Sequence, residues 1–219
     1  PEVFLLRSEN LKLDKQEKFS LLLANVTLGN VIFTSDNLKE YDDAKWKLWL
    51  SVFPNKEKRV SRIQQRGKVT EVLFSIGGRN FAAYFNLSNN PHDIRIDTAC
   101  FVRNADACFW LEKSRMELPP HSGICMSFPG QEEVGILGST CSLYPGTETE
   151  FFEYTIKETE LDLHLVLNKN VLAGGSLFIR IPLGIQKVLI NDTVYKPEKP
   201  NWYTGQGQLV EYKITSEII

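Results

Sequence analysis

Histidine is scarce in this chain, with three among 219 residues. His92 follows a proline in a turn, His121 follows Pro119-Pro120, and His164 alternates with leucines. None has a Gly-x-Ser-x-Gly elbow or another nucleophile context beside it, so no acyl-transfer triad is legible. Cysteine is limited to Cys100, Cys108, Cys125 and Cys141. With no Cys-x-x-Cys pair and no adjacent His pair, zinc-ligand spacing is absent. Four cysteines in a chain of this length are too few for a disulfide scaffold, and they are expected as reduced, mostly buried thiols acting as small hydrophobes. No Walker loop and no Gly-x-Gly-x-x-Gly follows a strand pattern, so phosphate cradling is unsupported. Residues 173–176, Ala-Gly-Gly-Ser, read as a turn ahead of a strand. No apolar run reaches the roughly 18 residues that a membrane helix needs. No signal-peptide pattern opens the chain, and a start at Pro1 rather than Met reads as an excised piece of something longer.

Charge excess of either sign is missing as well. The 25 basic and 27 acidic residues leave a net charge of −2, which requires neither nucleic acid nor an anionic membrane as partner. Carboxylates do cluster, at Glu132-Glu133, Glu148/Glu150 and Glu158/Glu160. Glycoside hydrolysis needs two carboxyl groups at a set separation across a cleft, which neighbours in a turn do not provide; these read as solvated turn residues. No catalytic residue, metal set or cofactor is therefore expected.

What is present is alternation. Leu161, Leu163, Leu165 and Leu167 share one strand face, as do Leu177, Ile179 and Ile181, and the run Ile94, Ile96, Thr98, Cys100, Val102. Trp46, Leu48, Leu50 and Val52 show the same period, so Trp46–Phe53 is expected to be a strand ending at Pro54-Asn55. Gly77-Gly78, between two β-rich runs, predicts a tight hairpin. In all, about a dozen strand candidates fit a sandwich or barrel. Helix is expected only as two turns at Asp36–Lys45, capped by Asp36, and more weakly around residues 11–19. The expected architecture is all-β, an antiparallel sandwich over residues 1–168 with a C-terminal β extension or small second module over 169–219.

Two surface features carry the functional expectation. Residues 56–68 hold six basic side chains, Lys56, Lys58, Arg59, Arg62, Arg66 and Lys68, and read as a long loop; as a site they would dock an acidic partner. Aromatic interleaving is missing there, which counts against nucleic acid. In Asn80–Phe85, Ala82 and Tyr84 share a face on which a peptide or sugar could lie. Asn25, Asn86 and Asn191 each begin an N-glycosylation acceptor triplet.

The stretch Phe19–Asn55 resembles the start of a MATH, or TRAF-like, domain: a Phe-containing strand, the Asn25-Val26-Thr27 turn, residues 31–36, the excursion 36–43 and the Lys45–Asn55 ribbon. Residues 80–90 and 93–106 are similar to that family's next strands, so the resemblance spans 19–104 with the basic segment inserted. The family's later Trp-Gly-Phe-like signature is not visible, and Ile136–Tyr144 occupies roughly its place. The resemblance implies a non-enzymatic adaptor or scaffold that binds a short extended peptide of a partner protein, with Tyr84 and Thr98 in the groove. It implies a cytoplasmic or nuclear setting and leaves homo-oligomerisation open. A second reading is a lectin-like or accessory sandwich of a carbohydrate-active, secreted protein, because residues 174–192 are similar to the strand-turn-strand of C-terminal sandwiches in some glycosidases.

Overall fold

The computed structural model describes residues 3–4, 12–29, 32–34, 36–168 and 174–214. Strands dominate, so the fold is an antiparallel all-β sandwich, with two α-helices at its N-terminal end. Strand β1 (Val3–Phe4) leads to helix α1 (Lys15–Leu28). A capping box starts this helix: the Asp14 carboxylate accepts from the Glu17 amide at 2.8 Å, and Glu17 accepts from the Asp14 amide at 2.9 Å. Phe19, Leu22, Leu23 and Val26, at three- and four-residue spacing, form its buried stripe. Strand β2 (Phe33–Thr34) then pairs with β1 in parallel, so α1 is the crossover of a β–α–β unit.

The expected strand at Trp46–Phe53 is instead helical. After a 3-10 turn at Leu38–Glu40, capped by Asn37, helix α2 runs Asp43–Leu50. Asp42 caps α2, accepting from the Lys45 amide at 2.8 Å. Trp46, Leu48, Trp49 and Phe53 all pack on the same core, which an eight-residue helix allows despite the alternating pattern. The expected cap at Asp36 is likewise displaced to Asn37 and Asp42. Of the segments that the MATH resemblance reads as strands, Phe19–Thr27 lies in α1 and the Lys45–Leu50 ribbon in α2.

The remaining strands are β3 (Arg59–Arg66), β4 (Val69–Ile76), β5 (Arg79–Asn86), β6 (His92–Ile96), β7 (Cys100–Arg103), β8 (Cys108–Leu111), β9 (Ser114–Leu118) and β10 (Ser122–Phe128). They are followed by β11 (Gly135–Ser139), β12 (Thr149–Lys157), β13 (Glu160–Leu167), β14 (Ser176–Ile181), β15 (Lys187–Ile190), β16 (Thr193–Tyr195) and β17 (Gln208–Lys213). The largest sheet has six strands in the order β3-β4-β5-β10-β7-β8. The β4–β5 hairpin turns at Gly77 and Gly78, both at positive φ (56° and 83°), as two glycines permit.

Both faces of this sheet are covered. On one, Val72, Phe74, Phe81 and Phe85 lie beneath α1 and α2. Phe74 and Phe81 stack at 5.3 Å, with Tyr144 edge-on to both. On the other, Ala82, Tyr84, Val102, Ile124 and Met126 meet Ile94, Ile96 and Leu118 of the β6–β9 hairpin.

A second sandwich packs β11-β14-β17 against β12-β13-β15-β16. Leu161, Leu163, Leu165 and Leu167 face Leu177, Ile179 and Ile181 across its core, in the alternation that the sequence predicts. Each such side chain contributes about 1.5–3 kcal/mol on burial. The expected boundary at 168/169 falls inside this unit, because β13 pairs with β15 and β11 with β14. Phe101, Trp110, Leu137, Tyr203 and Leu209 form a bridging core between the two sandwiches.

Candidate binding cleft

Tyr84 and Thr98, expected to share a groove, are far apart in role. Tyr84 is 8% exposed, and its hydroxyl donates to the Glu71 carboxylate at 2.8 Å. Burial and this bond push the Tyr84 phenol well above its ordinary range. Glu71 is itself buried and completes its contacts with Arg66 at 2.9 Å. Thr98 is exposed in a bend between β6 and β7, while the neighbours of Tyr84 across the sheet are Glu71 and Ile124. The alternation that sets Tyr84 beside Ala82 is real, but the β6–β9 hairpin covers that face.

The basic segment is not a loop. Residues 59–66 form β3, an exposed edge strand. Lys56 reaches inward and donates to the Thr147 carbonyl at 2.8 Å. Lys58 is 8% exposed, bonds Asn55, and lies 5.9 Å from the Tyr144 ring centre. Burial lowers the pKa of both lysines. Arg59, Arg62, Arg66 and Lys68 are the exposed members of the six, and Arg66 is tied to Glu71.

All four cysteines are free. Burial pushes Cys100 and Cys141 up to about 12 and Cys125 higher, so these thiols are inert core residues. Among the acceptor asparagines, Asn86 is fully buried and donates to the carbonyls of Asn90, Leu118 and Pro119. Asn191 holds the Leu165 backbone through both its amide nitrogen and its oxygen. Asn25 lies within α1 and donates to the Leu21 carbonyl.

Between the two sandwiches opens a cleft of about 640 Å³, within the usual range for small-ligand sites of about 300–1,000 Å³. The β4–β5 turn forms one side, and edge strand β12 overhangs the other. Arg79 marks its base: the guanidinium donates to the carbonyls of Gly146 (3.2 Å), Leu137 (2.9 Å) and Ile136. This one side chain thus ties β5 to β11 and to the loop after it. Burial pushes Arg79 down to about 10, which leaves it charged at neutral pH.

Behind it, Glu148 is 3% exposed and accepts from the Ser139 hydroxyl, while its Oε2 has no hydrogen-bond partner among the described residues. Burial raises the Glu148 pKa, opposed by the Ser139 bond and the Arg79 charge. No signal of spacing joins Arg79 to Glu148 in the sequence, since their charge–charge interaction depends on how the two sandwiches stack.

The wall under β12 is aromatic. Phe152 and Tyr154 point to the inner side of their sheet, paired in register with Leu165 and Leu163, and their rings are 6.2 Å apart. Tyr154 is nevertheless 42% exposed and lines the cleft. Phe128 lines the same space. Among the described residues no group of His, Cys, Asp and Glu is placed to hold a metal ion, and no helix is long and apolar enough to cross a membrane.

No family model and no curated protein matches the sequence. Solved structures are similar to part of this chain. A putative α-galactosidase/melibiase of Bacteroides fragilis superposes with a TM-score of 0.50 at 8% identity, over 58% of this chain and 33% of its own. A β-L-arabinopyranosidase of Geobacillus stearothermophilus gives 0.46 at 14% identity, covering 54% and 32%. A putative α-N-acetylgalactosaminidase of Bacillus halodurans gives 0.46 at 13%, covering 55% and 32%. The match spans about a third of the length of each of these proteins.

Proposed function

We propose that this chain is the non-catalytic β-sandwich part of a carbohydrate-active enzyme, seated against an α/β body through its β1–α1–β2 unit. One observation carries the reading: a parallel strand pair joined by a helix, attached to a molecule of antiparallel ribbons. The other parallel pair among the described residues, β13 with β15, is joined through β14 of the facing sheet and belongs to the second sandwich. Helix-crossed parallel strands belong to sheets whose two faces are covered by helices, and a pair of two-residue strands has little stability alone. The Phe19, Leu22, Leu23 and Val26 stripe of helix α1 covers the six-stranded sheet, its exposed Leu21 and Leu28 line a groove with Ile63, Phe85 and Leu87 of that sheet's margin, and the β1–β2 pair is left for the α/β body.

The fold shared with one third of a putative α-galactosidase supports the same reading, since there too the sandwich accompanies a longer enzyme. The peptide-adaptor reading would need a groove at Tyr84, which is 8% exposed. Hydrolysis of nitrophenyl α- and β-glycosides tests the proposal. Glycosidase activity should accompany the protein isolated from its source, and the 219-residue chain expressed alone should show none. Turnover by the chain alone, or source material without glycosidase activity, contradicts it.

A further inference from the structure

We infer that the cleft between the two sandwiches binds a neutral oligosaccharide, which stacks on Phe152 and Tyr154 beneath the β12 edge; this rests on the carbohydrate-active reading above. The first argument is the uncovered strand. Tyr154 and Ile156 face the inward side of their sheet yet are 42% and 37% exposed, so an apolar row lies open where the sandwich would otherwise close over it. Phe128 stands across the same cleft. An aromatic wall of this kind accepts a flat apolar surface at little conformational cost.

The second argument is charge. The lining holds Lys56 and Arg79 against Glu132 and Glu150, two positive and two negative groups. Both cations are already committed to backbone carbonyls, Lys56 to Thr147 and Arg79 to Gly146, Ile136 and Leu137. By count the two signs cancel in the lining, so it offers no net charge to an anionic or a cationic ligand.

What remains for a ligand is neutral hydrogen-bonding capacity. Asn80 is exposed on the β5 side. Thr149 lines the cleft with its hydroxyl oxygen buried and unpartnered among the described residues, as is the Nε of Arg79. Buried polar atoms of this kind are normally satisfied, and a small shift of the cleft floor on ligand entry would let a hydroxyl reach them. Aromatic faces beside amide and hydroxyl groups, without net charge, match a pyranose: C–H groups lie on the ring and hydroxyls along the rim. An apolar peptide would use the aromatic wall and leave the polar floor unmatched.

Calorimetric titration of the full chain with galacto-, manno-, xylo- and malto-oligosaccharides tests this. At least one series should bind. Tyr154→Ala, at an exposed ring, should weaken binding at least tenfold, and Phe152→Ala likewise, whereas Val194→Ala, at an exposed site on β16, should leave it unchanged. Circular dichroism and the urea midpoint confirm that each variant is folded. Lack of binding by any series, binding unaltered by Tyr154→Ala, or binding only to an apolar peptide would overturn the assignment. If glycosidase activity still accompanies the source-isolated protein while the cleft binds no sugar, the ligand assignment falls and the accessory reading stands. If that activity is absent, the accessory reading itself falls.

Discussion

Arg79 is the residue on which the joint between the two sandwiches turns. Its guanidinium spans three carbonyls from β11 and the loop after it, and replacement by Met would leave those acceptors and the buried Glu148 without their cation. We expect Arg79→Met to cost about 3 kcal/mol, read as a lower urea midpoint. Glu148 gives a pH signature. Burial raises its folded pKa above the ordinary 4.5, so the fold holds that proton more tightly than the unfolded chain does. The stability gained is complete below about 4.5 and is lost as pH rises through the raised folded value. Glu148→Gln should flatten that decline while leaving the rest of the stability profile in place.

Tyr84 makes a similar test of placement. Tyr84→Phe removes one bond to a buried carboxylate and should cost about 1.5–3 kcal/mol, where a groove residue would cost almost nothing. The sequence showed that Tyr84 and Ala82 share a face. It could not show that the β6–β9 hairpin, separated in sequence by several turns, would lie across them.

At the scale of elements, the legible parts were those whose local chemistry agreed with their tertiary surroundings. Gly77-Gly78 formed its hairpin, and the leucine alternation of β13 became a strand with one buried face. Helix was expected around 11–19 and 36–45 and is found at both places, but its extent to Leu28 and Leu50 was misread because short apolar runs fit two periods. Trp46, Leu48 and Leu50 alternate, yet Trp46 and Trp49 are also three residues apart, and Asp42 supplies the cap that favours the helix. The same sign stood at Asp14-x-x-Glu17 ahead of Phe19, Leu22, Leu23 and Val26. We therefore expect Asp42→Ala to destabilise the protein by about 1 kcal/mol, and Leu48→Pro, inside α2, by about 3 kcal/mol or more; chemical denaturation distinguishes the two. If residues 43–50 were a strand, the loss of Asp42 would be silent.

At the scale of the whole molecule, two stacked sandwiches carry a parallel β–α–β unit, which the proposed function reads as the seat of an α/β body. Period and turn chemistry announced an all-β sandwich but not its division in two, and a two-residue strand has too little pattern to announce a parallel partner. Hydrogen–deuterium exchange on the 219-residue chain alone and on the protein isolated from its source measures this layer directly. The account predicts that the amides of Phe33 and Thr34 and those of α1 exchange more slowly in the source-isolated protein, with β4, β5 and β13 unchanged. Equal exchange of β2 and α1 in both preparations would contradict it.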